Sequence, residues 1–312
     1  MLNKLSNLFF KIFLFIQRKY FLNKYESQPG FYVFNKESKI KTVIFDLSNA
    51  KYTHIGDSLF YEPIIQQLKK FGVKIDVCVN KNIFEYFKNT GHKVVNSDLI
   101  DNYDLIIAPF WLFNIYSNKK KIKSLFLDPS NFKIDEPITD YFYKNICLFL
   151  KIPFKNEILS PTIPNFNSLK LKLDKNEKYI VYNDSIDSGF WGITRKMRKT
   201  LEYNLKNCYK MGFKIIRVSS VNDKIKNPES LSIEHLDLRG QTKIQDVFEL
   251  IGHPSVIGTI SFDTAIAHIS LMYKKKTKIM IRRFSEEHKK HIKNYILPSY
   301  KSDERNKIEY IK

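Results

Sequence analysis

From Lys41 onward, short β-branched or aromatic runs alternate with stretches of helical periodicity. This alternation is typical of parallel sheets built from β-α-β units. At 312 residues the chain is too long for most single cores and suits two domains of ordinary size. The pattern therefore predicts an α/β protein with two Rossmann-like, doubly wound domains that face a central cleft.

The alternation occurs in two series. The first predicts strands at 42–47, 73–79, 94–95, 105–108 and 125–127, and helices at 58–70, 83–89 and 136–149. The second predicts strands at 179–182, 213–218, 235–238, 255–259 and 278–281, and helices at 194–211, 244–251 and 264–273. A proline-containing stretch without sustained period separates them. The predicted units are an N-terminal extension (1–40), a first domain (41–160), a linker (161–178) and a second domain with a C-terminal helical tail (179–312).

The chain is strongly basic, with 52 Lys and Arg against 32 Asp and Glu and a formal net charge of +20. This charge favours anionic partners: nucleotides, a phosphorylated glycolipid, an acidic membrane face or nucleic acid. A genome rich in A and T would also enrich Lys, Asn and Ile without any binding role. Both explanations of the charge stay open at this point.

The first 25 residues combine cations with apolar side chains at helical spacing and contain no acid. The cations are Lys4, Lys11, Arg18, Lys19 and Lys24. Such a segment predicts a basic amphipathic helix, either on an anionic membrane or docked on the protein's own surface. Lys11 interrupts the apolar stretch, and no small-residue cleavage pattern follows, so neither a spanning helix nor a secretory signal is expected.

The three cysteines, Cys78, Cys147 and Cys208, are widely spaced and form no Cys-x-x-Cys pair. Neither a disulfide framework nor a zinc site is therefore expected, and a reducing, cytoplasmic setting fits. With the N-terminal helix, this predicts a cytoplasmic protein that is peripheral on the inner face of a bacterial cytoplasmic membrane.

One strand-to-helix junction is a candidate anion site. The apolar run 255–260 passes through Ser261-Phe262 into the segment from Asp263 to His268. Unpaired backbone N–H groups and a partial positive charge at a helix N-terminus favour phosphate. Asp263 or Thr264 is placed to cap this helix, and His268 faces the same end. Asp57 in the first series also falls beyond the carboxyl end of a strand, where ligands of such sheets bind.

Short motifs in both halves resemble one family. Gly56-Asp57-Ser58-Leu59, followed by Pro63, is similar to the first-domain loop of the lipopolysaccharide heptosyltransferase family. The stretch 238–242 and the segment 263–268 resemble that family's Leu-x-Gly-Lys-Thr and Asp-Ser/Thr-Gly-x-x-His signatures. The motifs occur in the expected order and span about two-thirds of the chain.

The resemblance implies a GT-B fold, with an acceptor site in the first domain and a nucleotide-sugar site in the second. It implies that Asp57 is the general base, although Asp57 would also suit a purely helix-capping role. The implied acceptor-side loop contains His54, Gly56 and Ser58. The implied donor-binding residues are Asp263, Thr264, Ala265, His268 and Gly240, with Arg195 and Lys196 adding charge.

The chain departs from the family pattern at three places on the donor side, one of which is Gln241, where the family commonly has Lys. Ala265 stands where the family has Gly, so the backbone would approach phosphate less closely. The segment 188–192 lacks the Lys that the family carries ahead of a Trp. Arg195 or Lys196 would reach in from the following helix, or these cations form a solvated basic face.

No cofactor or metal is expected from the motifs. The sequence has no Asp-x-Asp pair at Asp184 and Asp187 and no His or Cys grouping with ligand spacing. It also has no Walker loop and no complete Gly-x-Gly-x-x-Gly. We expect an inverting, metal-independent glycosyltransferase that moves a heptose, as from ADP-heptose, or another nucleotide-activated sugar.

The expected acceptor is a lipopolysaccharide, a lipooligosaccharide or another anionic cell-surface glycan. The alternative is a catalytically silent GT-B protein that binds a glycan or a partner at the membrane. A nucleic-acid binder would depend on charge alone, and the scattered aromatics offer no base-stacking platform, so no nucleic-acid partner is expected.

Overall fold

The protein is described here by a computed structural model. It describes residues 26–28, 31–34, 40–49, 53–109, 112, 123–127, 136–155, 160–185, 193–226, 229–282, 293, 296–301 and 307–311. The predicted N-terminal helix and the segment 188–192 lie outside these residues. The described strands form two sheets of six strands each.

The first sheet has the order β1-β2-β6-β5-β3-β4. Its strands are β1 (Glu26–Gln28), β2 (Phe31–Phe34), β3 (Thr42–Leu47), β4 (Lys74–Val79), β5 (Leu105–Pro109) and β6 (Lys123–Leu127). Strands β3 to β6 are parallel, whereas β1 and β2 pair antiparallel at one edge. The predicted strand at 94–95 is reduced to a single bridge between Val94 and Val77. Helices α1 (Ile55–Lys69), α2 (Phe84–Asn89) and α3 (Ile138–Leu150) and a 3-10 turn (Ser97–Asn102) accompany this sheet.

The second sheet has the order β12-β11-β10-β7-β8-β9 and is parallel throughout. Its strands are β7 (Tyr179–Tyr182), β8 (Lys214–Arg217), β9 (Glu234–Asp237), β10 (Val256–Phe262), β11 (Lys276–Arg282) and β12 (Lys307–Ile311). The helices here are α4 (Arg195–Lys210), α5 (Val221–Lys226), α6 (Ile244–Gly252), α7 (Ala265–Met272) and the single turn α8 (Leu297–Ser299).

Two predictions about the chain ends are wrong in part. Residues 26–28 and 31–34, assigned from sequence to an extension, supply β1 and β2 of the first sheet. Residues 307–311, assigned to a helical tail, form the edge strand β12. Both segments pair at sheet edges, where strand formation depends on an available neighbouring strand more than on local pattern.

The burial of the central strands explains why the sequence pattern predicted them. In β3, Val43, Ile44 and Phe45 are all fully buried, because helices and loops cover both faces of the sheet. Strands buried on both faces read as continuous apolar runs. The same holds for Leu105–Pro109, which is buried along its whole length.

The segment between the two series contacts one helix of each series. Residues 161–178 contain neither helix nor strand. Glu62 of α1 accepts a hydrogen bond from the backbone N–H of Thr162 at 2.8 Å. Glu249 of α6 accepts one from the backbone N–H of Ser168 at 2.8 Å. The segment therefore connects helices of the first and second series, while the exact domain boundaries stay a prediction.

Among the described residues, no helix is both long enough and apolar enough to cross a bilayer. All three cysteines are free thiols. Burial raises the pKa of Cys78 and of Cys147 to about 11.

Candidate active site

Asp57 lies in the first turn of α1, beyond the carboxyl end of β3. The helix begins at Ile55, with His54 as its N-cap, and not at Ser58 as the sequence predicted. Asp57 accepts a hydrogen bond from the backbone N–H of His54 at 3.3 Å, and the Ser58 hydroxyl donates to the His54 carbonyl at 3.0 Å. Asp57 therefore caps the helix, which is the capping role that the sequence also suited, and its side chain still faces solvent.

The environment of Asp57 favours its protonated form. Its side chain keeps contact with solvent, while His54 of its own helix and Asp263 and His268 of the β10–α7 junction lie around it. Desolvation raises the pKa of this carboxyl; His54, His268 and the backbone hydrogen bond oppose the rise, and Asp263 adds to it. A raised pKa makes the carboxylate a stronger acceptor for a hydroxyl proton.

The opposite wall is the junction between β10 and α7. Thr264 is the N-cap of α7, with extended backbone at φ −145° and ψ 172°. Its hydroxyl makes no capping hydrogen bond, and Oγ1 is a buried atom without a hydrogen-bond partner. An unpaired hydroxyl beside first-turn N–H groups, the first of them on Ala265, is what an anion site provides.

His268 lies one turn into α7 and is 6% exposed. Its Nδ1 lies 2.9 Å from the hydroxyl of Tyr300, and its Nε2 lies 3.5 Å from Oδ1 of Asp263. Both ring nitrogens therefore face protein groups. This geometry favours a packing and positioning role for His268 over direct contact with a phosphate.

The two sequence motifs meet in space at Gly56 and His268. A Cβ atom on Gly56 would lie 2.7 Å from Cδ2 of His268, closer than real Cβ contacts occur. Phe60, one turn along α1, packs edge-on against the same imidazole, with ring centroids 5.2 Å apart. The close approach of the α7 histidine explains a glycine at position 56 and sets Asp57 beside Asp263.

The basic start of α4 lies at the same edge of the second sheet. Helix α4 follows β7, which pairs directly with β10. Arg195 and Lys196 are its first residues and are exposed, and its first turn contains no acid. Cations at the positive end of a helix are locally unfavourable unless an anion offsets them, so this placement is consistent with the predicted contact to a diphosphate.

Gly240 has a structural reason for its identity. It adopts a left-handed φ of 70°, and a Cβ there would lie 2.9 Å from Cβ of Val221. The turn after β9 therefore requires glycine, whereas the donor contact inferred from the family stays a prediction.

Sequence reasoning missed a buried charge cluster beside this site. Arg217 donates from Nη2 to Asp184 at 2.5 Å and from Nη1 to Glu234 at 3.3 Å. Arg239, which is 1% exposed, donates from Nη2 to Asp237 at 2.7 Å, and this holds the pKa of Asp237 at about 2. The signal in the sequence is an acid or an arginine at the carboxyl ends of β7, β8 and β9.

No group of three or more metal-ligating side chains occurs within the described part of the chain. The arrangement of the site therefore offers a carboxylate, a helix N-terminus and nearby cations as its chemical groups.

Several solved structures share this architecture. E. coli ADP-heptose LPS heptosyltransferase II matches with a TM-score of 0.60 at 11% identity, over 87% of this chain and 93% of that one. The glycosyl transferase family 9 protein of Veillonella parvula matches with a TM-score of 0.59 at 11% identity, over 88% and 87%. E. coli heptosyltransferase WaaC with ADP matches with a TM-score of 0.54 at 10% identity, over 86% of this chain and 93% of that one.

The chain has the GT-B fold of these heptosyltransferases. The fold predicted from the order of the motifs is thereby confirmed. No protein-family model and no curated protein sequence matches the chain. At these identities the likeness establishes the fold, and the activity has to be argued from the site.

Proposed function

We propose that this protein is an inverting glycosyltransferase that moves a sugar from a nucleoside-diphosphate donor to a saccharide acceptor. The observation that carries the proposal is the meeting of Asp57 with the N-terminus of α7 through the Gly56–His268 contact. A desolvated carboxylate then stands opposite an anion-binding helix terminus. A transfer reaction needs a base on one side and a leaving-group site on the other.

The carboxylate of Asp57 takes the proton of the acceptor hydroxyl. As that proton leaves, the hydroxyl oxygen forms a bond to the anomeric carbon, and the bond from this carbon to the diphosphate oxygen breaks. The electron pair of the broken bond stays on the diphosphate. A single displacement of this kind inverts the anomeric centre.

The leaving diphosphate is stabilised by protein groups without a metal ion. The N–H groups at the start of α7 and the buried hydroxyl of Thr264 bind its oxygens. Arg195 and Lys196 add positive charge from the start of α4. Asp263 repels phosphate, so it orients the loop or accepts from a sugar hydroxyl.

The ligands of the fold relatives support a donor class. WaaC has been solved with ADP and with ADP-2-deoxy-2-fluoro heptose. By analogy, we propose a nucleotide-activated heptose or hexose as the donor of this protein. The acceptor we propose is a lipopolysaccharide, a lipooligosaccharide or a related surface glycan. We propose that the protein binds this acceptor at the cytoplasmic membrane and that residues 1–25 contact the membrane.

The test combines transfer and binding with one variant. Asp57→Asn removes the base but keeps the size of the side chain, so we expect at least a hundredfold loss of transfer. Binding of ADP and other nucleoside diphosphates, measured by titration calorimetry, should stay within about twofold of the unmodified protein. Asp98→Asn, an exposed carboxyl in the 3-10 turn before β5, is the matched control.

Two results would contradict the proposal in different ways. Substantial transfer by Asp57→Asn would remove Asp57 as the base. Failure of the unmodified protein to bind any nucleoside diphosphate would favour the catalytically silent, glycan-binding alternative.

A further inference from the structure

The C-terminal segment 296–301 returns from the second sheet to the first. The Thr139 hydroxyl of α3 donates to the Ser299 hydroxyl at 3.4 Å. The next residue, Tyr300, is fully buried, and its ring lies 5.7 Å from that of Phe60 on α1. Tyr300 is therefore wedged between α1 of the first series and α7 of the second.

The hydroxyl of Tyr300 reaches the imidazole that joins the two motifs. It lies 2.9 Å from Nδ1 of His268, while Nε2 of the same ring faces Asp263 at 3.5 Å. A neutral imidazole carries one proton, and the carboxylate side favours placing it on Nε2. Nδ1 is then an acceptor, and Tyr300 is its donor.

Tyr300 is suited to be a donor at every working pH. Burial raises the pKa of its hydroxyl well above the ordinary value, and the charges of Asp57 and Asp263 raise it further. The hydroxyl therefore keeps its proton. The imidazole is fixed from one side by a phenol that does not ionise and from the other by a carboxylate.

We propose that Tyr300 is a positioning residue for the glycosyl transfer proposed above, because it holds the His268 ring against Gly56 and toward Asp263 and so sets the surroundings of Asp57. This inference rests on the proposed function for its kinetic consequences only. The ring placement itself is a structural claim that stands without a substrate.

The ring placement matters because few charged groups face Asp57. His54 faces it from its own helix, and His268 and Asp263 face it from the α7 side. Tyr61 and Tyr300 also lie near, and both are kept neutral by burial. Of these groups, His268 and His54 oppose the rise in the pKa of Asp57. A neutral His268 ring does so through the dipole of its Nε2–H, which faces the acid side. If the ring turns away, the pKa of Asp57 rises further and less base is available near neutral pH.

The kinetic test is Tyr300→Phe, which removes the hydroxyl and keeps the ring. We expect kcat to fall about tenfold with the donor KM changed less than about twofold. The acidic limb of the pH profile of kcat/KM should move to higher pH, which loss of packing alone would not cause. Tyr179→Phe is the matched control, since Tyr179 is a buried tyrosine that accepts a hydrogen bond from the Asp174 N–H at 3.2 Å, at the amino end of the second sheet.

A double variant tests the route of the effect. His268→Gln should displace the acidic limb in the same direction as Tyr300→Phe. Adding Tyr300→Phe to His268→Gln should then produce no further displacement. Independent, additive displacements would overturn the proposal that Tyr300 acts through His268.

A second readout does not depend on activity. In imidazole ¹⁵N spectra, with His268 assigned by its loss in His268→Gln, we expect the Nε2–H tautomer with Nδ1 accepting a hydrogen bond. Tyr300→Phe should move the Nδ1 resonance to that of a nitrogen without a hydrogen bond. A dominant Nδ1–H tautomer in the unmodified protein, or an Nδ1 signal indifferent to Tyr300→Phe, overturns the inference.

The two readouts separate the two proposals. If no sugar transfer is found with any donor, the proposed function fails, while the spectra still decide whether Tyr300 orients His268. If Tyr300→Phe does not fold, the tautomer of His268 in the unmodified protein remains decisive.

Discussion

The carboxyl edges of the two sheets treat their acids in opposite ways. At the edge of the first sheet, the charged neighbours of Asp57 among the described residues are His54, His268 and Asp263, and desolvation raises its pKa. At the edge of the second sheet, Asp184 and Asp237 are each bound by an arginine, and the pKa of Asp237 falls to about 2. Acids of the same type therefore have different chemistry.

The difference bears on the roles proposed for these acids. An acid paired with a buried guanidinium is held ionised and has little tendency to take a proton. An acid that is desolvated without such a pair accepts a proton readily, at some cost in stability. We therefore expect the base at the first edge and structural support for the anion site at the second.

The largest effect on stability is expected from removing an arginine at the edge of the second sheet, where arginines pair with the acids. Arg217→Met removes the buried cation that Asp184 and Glu234 share, which should lower the free energy of unfolding by about 3–5 kcal/mol in urea denaturation. Arg198→Met is the matched control, because Arg198 lies 3.7 Å from the same Asp184 but its side chain is 44% exposed. Its loss should cost only about 0–1 kcal/mol, and equal effects of the two variants would contradict this view of the cluster.

A smaller effect is expected at the contact between the two edges. Gly56→Ala places a methyl group against the His268 ring and should cost about 1–3 kcal/mol in the same denaturation experiment. The double variant Gly56→Ala with His268→Ala removes the obstructing ring. The loss of unfolding free energy in the double variant should be smaller than the sum of the losses in the two single variants. Strict additivity would show that the methyl group clashes elsewhere.

The smallest effect is on stability as a function of pH. Because folding raises the pKa of Asp57, its contribution to stability is present below about pH 4 and is lost as the pH rises through the folded pKa. Asp57→Asn should therefore raise the Tm at pH 7 and leave it unchanged near pH 3. A lower Tm at pH 7 would show that the capping bond to His54 outweighs desolvation.

Asp237→Asn should show the reverse dependence. Folding lowers the pKa of Asp237 to about 2, so its contribution is present above about pH 4 and is lost as the pH falls toward the folded value. We expect Asp237→Asn to have a lower Tm than the unmodified protein at pH 7. The difference between the two Tm values should become smaller as the pH falls. The opposite signs of these two variants would sharpen the contrast between the edges.

Much of the fold could be predicted because buried parallel strands carry their own local signature. Strands such as Thr42–Leu47 and Tyr179–Tyr182 match their predicted bounds, since continuous burial requires continuous apolar sequence. The edge strands at 26–34 and 307–311 were missed because pairing with a neighbour decides their conformation. The start of α1 was misplaced because Gly56 reads as a turn signal locally.

The candidate site was predicted as two motifs on facing domains, without the contacts that join them. Asp57 and the segment 263–268 stood out because each follows a strand, and strand ends share an edge of the sheet. The pairing of Arg217 with Asp184 was missed because the two residues are 33 positions apart and meet only through the sheet. The Arg239–Asp237 pair is local, but it matches no motif. Tyr300 carried no motif at all.

The sequence by itself determined the two α/β series, the order of the motifs and the carboxyl and helix terminus that a transfer site needs, because local periodicity and strand-end position are properties of short segments. Only the tertiary structure decided that His268 packs on Gly56, that Tyr300 contacts that ring, and that Asp57 is desolvated while Asp184 is paired with Arg217. Burial and pairing depend on which distant segments share a volume, and no short segment contains that information.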